Sequence, residues 1–252
     1  MAQAESGRFL LRVEDTDNTR ARPYWEAQIY DDLAWLGLTW ERPVLRQSDH
    51  LARYDRGLMR LAARGLIYPC SCKRRDIRAA LAAPQEGVRA PSVYPGTCRG
   101  RTMDSRLPGD ALRLDMGRAL RDLPSPLPGF DETGAAHQGH HIPDPERLLA
   151  STGDAVLGRK EIETVSYVMA AAIDDAAQGI THVVRGEDLF QTTFLQVVLQ
   201  AALGLPTPIY HHHPLIRDEA GKRLAKRDDA RAIARYRADG ASPADIRRLV
   251  GL

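Results

Sequence analysis

All three cysteines of the 252-residue chain lie in a proline-rich middle segment. They are the C-x-C pair Cys70 and Cys72, and Cys98 further along. Between about residues 66 and 150 the prolines interrupt any regular hydrophobic pattern, which predicts a loop-rich insertion rather than a second hydrophobic core. Such a segment needs a stabilising element other than apolar packing.

The three thiols predict a metal site that would supply this stability. Thiolates are typical ligands of tetrahedral zinc, and a bound metal holds together a segment with few apolar contacts. The fourth ligand is open at this point, because Tyr94 is nearest to Cys98 in sequence while His137, His140 and His141 follow further on. We prefer a metal site to the alternative that the cysteines are small buried apolar side chains.

Strands and helices are predicted on both sides of the insertion. Phe9 to Val13 is typical of a buried strand, and two amphipathic helices follow it, ending at Gly37 and Gly65. After the insertion come strands at Tyr167 to Ile173, Ile180 to Val184 and Ile209 to Ile216, with a helix around Leu195 to Ala202. This order predicts an α/β fold with a mostly parallel sheet.

Charge and hydropathy exclude several classes of protein. No apolar run approaches the ~18 residues of a membrane span, and the first residues do not resemble a signal peptide. We therefore expect a cytoplasmic protein with no membrane partner. Residues 64–122 carry 12 basic and 6 acidic side chains. This excess is typical of a surface that binds RNA, and equally of a solvated face.

Polar residues near the ends of the predicted strands could bind a substrate. Glu14 could receive an ammonium group or cap the next helix. Arg185 lies where ligands bind in α/β sheets and could hold a carboxylate, although an ion pair with Glu187 or Asp188 is the competing interpretation. Tyr167 could hydrogen-bond a substrate or lie half-buried in the core.

Three further clusters have simpler interpretations. His211 to His213 would alternate between the two faces of a strand, so they cannot converge on one ion and are expected to be structural. Asp174 and Asp175 could serve as paired carboxylates, but at the end of a strand they are predicted to form a turn. The basic segment 221–227 could clamp a phosphate, but alone it is typical of an exposed turn.

The order of these segments resembles the glutamyl-type class I aminoacyl-tRNA synthetases. Arg8 to Asp15 is similar to the family's "RFLLRIED" segment, and the basic loop around Lys226 resembles the family's KMSKS loop. The other matching segments are Asp32 to Leu38, Arg46 to Ser48, Gly179 to Asp188, and the zinc motif formed by Tyr68 to Cys72 with Tyr94 to Cys98. The resemblance covers nearly the whole chain.

The resemblance implies an enzyme that activates L-glutamate with ATP, together with Mg²⁺, and transfers it to tRNA. Glu14 would bind the α-amino group of glutamate, and Tyr167 and Arg185 would hold its carboxylate side. Lys226 would act as the catalytic cation on the ATP phosphates, with Arg223 beside it. One structural zinc ion would be held by Cys70, Cys72, Tyr94 and Cys98.

Within the family, the chain is most similar to the short members, which lack the anticodon-binding domain. They keep the catalytic domain and the zinc module, and they attach glutamate to the queuosine base of tRNA(Asp). On this basis residues 1–65 and 151–235 are expected to form the two parts of a Rossmann-type catalytic domain, the second with the KMSKS-like loop. Residues 66–150 form the zinc insertion and 236–252 a helical tail. We expect a monomer.

Two features depart from the family pattern. The family's first strand and its HxGH-type signature have no counterpart before Gly7. We expect that Met1 is an internal methionine of a longer protein; the alternatives are a catalytically inactive tRNA-binding paralogue, a deliberately shortened chain, or a fragment of a glutamyl-tRNA synthetase. In the basic loop, Arg223 and Ala225 replace the first lysine and the serine of KMSKS, which predicts a weakened loop.

Overall fold

The computed structural model describes residues 2, 5–17, 21–73, 75–77, 93–159, 164–217 and 232–251. The chain divides into two compact units. The terminal unit comprises residues 1–49 and 214–252, and the central unit comprises residues 50–213. None of the helices in the described ranges is long and apolar enough to cross a membrane.

Short strands and helices alternate along the described parts of the chain. The strands are β1 (Arg12–Val13), β2 (Leu45–Arg46), β3 (Ile67–Cys70), β4 (Ala111–Leu114), β5 (Phe130–Glu132), β6 (Gly139–His141), β7 (Val156–Gly158), β8 (His182–Gly186) and β9 (Ile209–His213). The α-helices are α1 (Pro23–Trp35), α2 (Leu51–Ala63), α3 (Met116–Asp122), α4 (Pro145–Ser151), α5 (Tyr167–Ala177), α6 (Phe190–Leu203), α7 (Ile233–Ala238) and α8 (Pro243–Leu249).

In the terminal unit, β1 and β2 pair in parallel and α1 connects them in sequence. Helix α1 begins with a proline, whose fixed φ suits the first helical position. It ends as the sequence predicts, at Gly37, where φ is +77° and the N–H bonds the Ala34 carbonyl at 3.0 Å. Of the predicted strand Phe9 to Val13, the last two residues pair with β2, and the Phe9 carbonyl accepts the Glu41 N–H at 3.3 Å.

The C-terminal helices of the terminal unit are held against α1 by arginines. Arg237 of α7 is paired with Asp31 and Asp32, and its guanidinium lies 5.2 Å from the centre of the Trp35 ring. Arg247 of α8 donates to the carbonyl of Leu36 at 2.8 Å. Helix α8 is therefore anchored at the open carbonyl end of α1, where a cation is favoured.

The described part of the central unit contains two sheets. One is antiparallel, in the order β3-β4-β7. The other has the order β6-β5-β9-β8, in which β9 runs parallel to both β5 and β8 and only β6 is antiparallel. The fold is therefore α/β as predicted, but parallel pairing is confined to part of the structure. The register of the parallel pair β8 and β9 places Arg185 opposite His212.

Helices α2, α5 and α6 pack together and enclose the main core of the central unit with β3, β4 and β7. The tightest contact is at Gly57 of α2, where a Cβ would lie 2.6 Å from Ile173 Cδ1 and 2.8 Å from Met169 Cε. Only glycine lets α2 and α5 approach this closely. The fully buried side chains of this core include Tyr54, Leu61, Leu66, Leu114, Met116, Leu157, Met169, Leu199 and Leu203.

The prediction of a strand from Tyr167 to Ile173 is wrong. These residues open α5, which continues through Asp174 and Asp175 to Ala177, so the two aspartates do not form a turn either. A short apolar run cannot distinguish a strand from a buried helix, and the many alanines here favour the helix. Both aspartates are buried, and Asp174 accepts hydrogen bonds from Arg53 and Tyr54 of α2.

The segment 66–150 is also more ordered than its prolines suggest. Its described part contains β3 to β6 and helices α3 and α4. Leu112, Leu114 and Met116 belong to the same core as the long helices, so this segment shares the main core instead of relying on loops. The sequence did not reveal this because the pairing partners of β4 lie more than 40 residues away on either side.

Candidate functional sites

The three cysteines converge in the central unit. Cys70 ends β3 and is fully buried, and Cys72 follows after one residue. The three sulfur atoms all lie within 4.8 Å of one another, and Cys72 Sγ is 3.5 Å from Cys98 Sγ. All three are free thiols. The predicted cluster therefore exists, and its sulfurs are close enough to hold a metal ion.

Tyr94 brings an oxygen to the same point. Its Oη lies 3.4 Å from Cys70 Sγ and 3.5 Å from Cys72 Sγ, and it accepts the backbone N–H of Cys98 at 2.9 Å. Three sulfurs and one phenol oxygen thus face a common centre. The histidines weighed as alternatives have other contacts: His137 lies against Glu187 and the Phe190 ring, and His140 against Asp131.

Arg113 of β4 covers the cysteine–tyrosine cluster from the core side. Its Nε donates to Cys70 Sγ at 3.3 Å, and its guanidinium carbon lies 3.9 Å from the centre of the Tyr94 ring. Its Nη1 donates to the Asp154 carbonyl at 2.8 Å. Arg113 therefore places a buried positive charge beside Cys70 Sγ.

Two buried carboxylates fix the chain around the cluster. Asp154 accepts hydrogen bonds from Tyr68, Arg99 and the backbone of Met116. Asp110 performs the same function for the cysteine loop, because it accepts from the hydroxyl of Ser71, from Arg101 at 2.9 Å and from the backbone of Leu107 at 2.9 Å. Ser71 lies between Cys70 and Cys72, so Asp110 fixes the C-x-C turn.

The cluster also perturbs the acidity of its members. Burial raises the pKa of the Cys98 thiol, but hydrogen bonds from the Tyr94 hydroxyl, the Ser71 backbone and Cys72 outweigh burial and lower that pKa to about 7. Burial raises the pKa of the Cys72 thiol. Burial likewise raises the pKa of the Tyr94 phenol, and hydrogen bonds with the cysteine sulfurs raise it further. Of the Cys98 and Cys72 thiols, Cys98 therefore ionises more readily.

A second polar cluster surrounds Arg185 at β8. The guanidinium is buried, and its Nε donates to His212 Nε2 at 3.0 Å. Its terminal nitrogens donate to Gln196 Oε1 and Thr193 Oγ1, both at 2.6 Å. The competing interpretation, an ion pair with Glu187 or Asp188, is therefore wrong, because the side chain turns into the protein toward β9 and α6.

His212 connects Arg185 to a buried carboxylate. Its Nδ1 is hydrogen-bonded to Glu132, which also accepts the backbone N–H of His212 at 2.9 Å and of Gly134 at 2.6 Å. Burial and Arg185 lower the pKa of His212, although Glu132 opposes them. Burial raises the pKa of Glu132, but the hydrogen bonds from His212 and Gly134 outweigh it and lower the value. An ionised Glu132 thus faces a neutral His212.

Arg185 lies beside the buried Tyr210, whose pKa Tyr167 also influences. Burial is the main cause that raises the pKa of Tyr210 to about 12; the nearby Asp175 and Tyr167 add to the increase, while the hydrogen bond from Gln200 and the charge of Arg185 oppose it. The Arg185 guanidinium lies 5.0 Å from the centre of the Tyr210 ring. Tyr167 itself is 38% exposed at the start of α5, so its side chain is accessible to a ligand.

Glu14 lies in the terminal unit, where its carboxylate pairs with Arg12 at 3.3 Å and stays partly exposed. It does not cap α1, whose N-cap residue is Arg22. The neighbouring Asp15 is buried and accepts from the Ser48 backbone at 2.8 Å and hydroxyl at 2.7 Å. Burial raises the pKa of Asp15, but Ser48 and Arg46 outweigh it and lower the value.

The remaining predictions concern the basic loop and the histidine tract. Lys226, Arg223 and the rest of the basic loop lie outside the described residues. In the histidine tract, His212 points into the protein while His211 is hydrogen-bonded to Thr133, so the expected alternation between faces is confirmed. A cavity of about 460 Å³ lies beside α2, lined in part by Leu58, Met59 and Arg159, away from the Arg185 cluster.

Sequence reasoning missed the residues that support these clusters. Arg113 could have been noticed, because it is a single charge inside the apolar run Ala-Leu-Arg-Leu of β4. Asp110 and Asp154 carry no such signal, since aspartates before strands are common in loops. Glu132 and His212 are 80 positions apart, and only the parallel pairing of β5 with β9 brings them together.

Comparison with known proteins identifies the family. The family model described as "tRNA synthetases class I (E and Q), catalytic domain" matches residues 1–103 and 148–252. The chain belongs to this family. The matched ranges include Glu14, Tyr167 and Arg185.

Curated relatives of this class I synthetase are similar over nearly its whole length. The glutamyl-Q tRNA(Asp) synthetase of Rhodobacter capsulatus is 59% identical over 258 residues, which cover 100% of this chain and 91% of the relative. The protein of the same name from Nocardia farcinica is 40% identical over 99% of this chain and 75% of the relative.

Solved structures agree with this membership. A glutamate tRNA ligase from Elizabethkingia meningosepticum, crystallised with its amino acid, superposes with a TM-score of 0.73 at 26% identity. A glutamate-tRNA synthetase from Elizabethkingia anophelis gives a TM-score of 0.74 at 25% identity. This synthetase chain is covered to 98% in both comparisons but spans only 54% and 55% of those chains, about half their length.

Proposed function

We propose that this chain activates L-glutamate with ATP and transfers it to the queuosine base of tRNA(Asp). The observation that carries the proposal is the 59% identity, over the full chain, to a protein named glutamyl-Q tRNA(Asp) synthetase. The two alternatives, an inactive tRNA-binding paralogue and a fragment of a glutamyl-tRNA synthetase, are not favoured. The solved glutamate-tRNA synthetases share only 25% and 26% identity with the chain.

The reaction would take place in two balanced steps. A carboxylate oxygen of glutamate attacks the α-phosphorus of ATP, and the bond to the β-phosphate breaks, which gives glutamyl-adenylate and pyrophosphate. A hydroxyl of the queuosine ring then attacks the glutamyl carbonyl and releases AMP. The protein contributes charge placement for the first step, since phosphoryl and nucleotidyl transfers depend mainly on positioning and electrostatic stabilisation.

Five residues would hold the reactants. Glu14 would meet the α-amino group of glutamate, and Tyr167 and Arg185 its carboxylate side. The three hydrogen bonds that Arg185 donates to protein atoms use three of the five N–H groups of a guanidinium, which leaves one on each terminal nitrogen for a ligand. Lys226, assisted by Arg223 and Mg²⁺, would stabilise the phosphate charge of ATP.

Cys70, Cys72, Tyr94 and Cys98 would hold one zinc ion. Zinc–sulfur bonds of about 2.3 Å and a zinc–oxygen bond of about 2.0 Å place the oxygen of a tetrahedron about 3.5 Å from each sulfur. The observed separations from Tyr94 Oη, 3.4 and 3.5 Å, are close to this value. Four protein ligands leave no open position, so the ion would stabilise the fold and would not take part in the reaction.

The remaining features are proposed on the same basis. Residues 1–65 and 151–235 would form the catalytic domain, 66–150 the zinc insertion and 236–252 the tail. The basic excess of residues 64–122 would contact tRNA phosphates, and such binding should weaken as salt rises. The chain would act as a monomer in the cytoplasm, where free thiols such as these persist.

The test is ATP–pyrophosphate exchange followed by transfer. We expect exchange that depends on glutamate and needs no tRNA, and then transfer of labelled glutamate to tRNA(Asp) that contains queuosine. The same tRNA without the modification is the matched control and should accept none. Binding of tRNA without exchange or transfer would favour the inactive paralogue. Exchange that requires tRNA would favour the glutamyl-tRNA synthetase.

The assignment of Glu14 can be checked in the same assay. Glu14→Gln should raise the KM for glutamate at least about tenfold, because a charge-assisted hydrogen bond to the ammonium is lost. Glu5→Gln, at an exposed position of the same unit, is the matched control. An unchanged KM in Glu14→Gln would remove Glu14 from the glutamate site while leaving the proposed reaction intact.

A further inference from the structure

The Glu132–His212–Arg185 chain of hydrogen bonds has a defined direction. Glu132 Oε1 accepts two backbone N–H groups, from His212 and Gly134, and Glu132 Oε2 faces Nδ1 of the His212 ring. The Nε–H of Arg185 can only donate, and it lies 3.0 Å from His212 Nε2, so this ring nitrogen must be the acceptor. The ring proton of His212 is then on Nδ1, which donates it to Glu132. Only a neutral, Nδ1-protonated His212 satisfies both neighbours.

We propose that Glu132 and His212 are positioning residues that hold Arg185 for the glutamate carboxylate, and that capture of glutamate requires His212 to be neutral. This inference rests on the proposed function, in which Arg185 binds that carboxylate. It adds two residues to the glutamate site that act through Arg185 and need not touch the substrate.

The position of Arg185 depends on this anchor more than on the other two. Gln196 and Thr193 both belong to α6 and hold the terminal nitrogens, the same atoms that would meet a ligand. His212 alone holds the Nε side, from the neighbouring strand β9. Removing its acceptor would let the planar guanidinium rotate about its remaining bonds, so the free N–H groups would no longer point in a fixed direction.

Protonation of His212 would have the same consequence. An Nε2–H would face the Arg185 Nε–H, so two donors and two positive charges would be opposed in a buried site. The charged and titratable groups facing His212 are Glu132 from β5, Arg185 from β8, and His137 from the loop after β5. Thr193 and Phe190 of α6 and Tyr210 of β9 complete its surroundings. Of these, only Glu132 favours the cation.

Two substitutions of His212 separate the two hydrogen bonds. In His212→Gln the amide oxygen can take the place of Nε2 and still accept from Arg185, but it cannot be protonated at this pH. In His212→Asn the shorter amide reaches only toward Glu132, so Arg185 loses its acceptor. Glu132→Gln removes the carboxylate that accepts the His212 Nδ1–H and should resemble His212→Asn. His182→Gln, at an exposed position of β8, is the matched control.

Glutamate-dependent exchange is measured for each variant between pH 5 and 8. We expect His212→Asn and Glu132→Gln to raise the KM for glutamate at least about tenfold, with a smaller change in kcat and none in the KM for ATP. In the wild type, kcat/KM for glutamate should fall with protonation of one group below pH 6.5, the ordinary pKa of histidine. His212→Gln should lose this fall, and His182→Gln should keep it.

A readout that needs no substrate completes the test. The ¹⁵N shifts of the His212 ring in the full chain should show a neutral, Nδ1-protonated imidazole at pH 7. A cationic or Nε2-protonated ring would overturn the proposal, and so would a wild-type KM for glutamate in folded His212→Asn. If the wild type neither binds nor activates glutamate, the proposed function and the role of these residues in capturing glutamate both fail. The ¹⁵N spectrum still tests separately whether His212 offers Nε2 as the acceptor that holds Arg185.

Discussion

The Nε–H of Arg113 donates to the sulfur of Cys70 at 3.3 Å, which places a buried cation against a member of the thiol cluster. With a metal bound, the three sulfurs would be thiolates, and a divalent ion would neutralise only part of their charge. Arg113 would offset some of the remainder, and its guanidinium lies 3.9 Å from the centre of the Tyr94 ring. The cluster is therefore supported by a residue that would not itself bind the metal.

Arg113→Gln should consequently weaken metal retention. We expect zinc to pass to a competing chelator with an affinity reduced about 10- to 100-fold, in the range found for residues that support metal ligands. The measurement is equilibrium competition on the purified protein. Arg106→Gln, at an exposed position in the same segment, should retain zinc like the wild type. Equal retention in Arg113→Gln would mean that the arginine serves packing alone.

Tyr94→Phe tests the fourth ligand. The substitution removes only the oxygen that lies 3.4 Å from Cys70 Sγ and leaves the ring in place. We expect bound zinc with reduced affinity, because three thiolates remain and water can take the fourth position. Cys98→Ser should lose more, since a thiolate ligand is gone. Metal analysis after dialysis against a weak chelator should therefore rank wild type, Tyr94→Phe and Cys98→Ser in that order.

Gly57→Ala should destabilise the central unit. The new Cβ would lie 2.6 Å from Ile173 Cδ1 and 2.8 Å from Met169 Cε, so helices α2 and α5 would have to separate. Overpacking of this kind costs about 1–3 kcal/mol, which chemical denaturation can measure. Ile173→Val removes the clashing Cδ1 and should reduce the cost in the double variant. Gly100→Ala, where no atom lies within 4 Å of the new Cβ, is the control.

Asp174 is the buried link between the same two helices. Its carboxylate accepts from Tyr54 Oη at 2.7 Å and from Arg53 Nη1 at 3.0 Å. Asp174→Ala removes the carboxylate that accepts from the buried Tyr54 hydroxyl, and loss of such a buried hydrogen bond costs about 1–3 kcal/mol. In Tyr54→Phe;Asp174→Ala the hydroxyl is absent as well, so the double variant should lose less than the sum of the single ones. Additive losses in urea unfolding would contradict this coupling.

Sequence reasoning predicted features that depend on neighbouring residues better than features that depend on residues far apart in the chain. Gly37 and Gly65 marked the ends of α1 and α2 correctly, because a helix ends through contacts within one turn. The thiol cluster was also predictable, since C-x-C with a third cysteine limits the chemistry strongly. Helix α5 was missed because its apolar residues are buried on several sides, and such a run has no clear period.

The residues that support each cluster could not be predicted from local sequence either, because their partners lie far away along the chain. Asp154 is 86 positions from Tyr68, and Glu132 is 80 positions from His212. Their hydrogen bonds exist only after the two sheets of the central unit have formed. The residue types alone leave many partners open for each carboxylate. Sequence therefore indicated candidate residues for the chemistry, whereas the structure was needed to find the residues that hold these candidates in place.

The buried histidine also gives stability a defined dependence on pH. Burial and Arg185 lower the pKa of His212 from 6.5, so the native state resists a proton that the unfolded chain accepts. Above pH 6.5 neither state is protonated and no penalty exists. As the pH falls below 6.5 the unfolded chain gains a proton first, and the free energy of unfolding decreases until the native pKa is reached.

Urea unfolding at pH 7.5, 6.5 and 5.5 should reveal this loss in the wild type. Each unit by which the native pKa lies below 6.5 accounts for about 1.4 kcal/mol of the eventual decrease. The lowered pKa of Glu132 contributes stability that is present above its ordinary value of 4.5 and is lost only as the pH falls through its native value, so it stays constant over this range. His212→Gln should lose stability less steeply between pH 6.5 and 5.5, whereas His182→Gln should follow the wild type. Parallel curves for His212→Gln and the wild type would show that His212 accepts its proton in the native state as readily as in the unfolded chain.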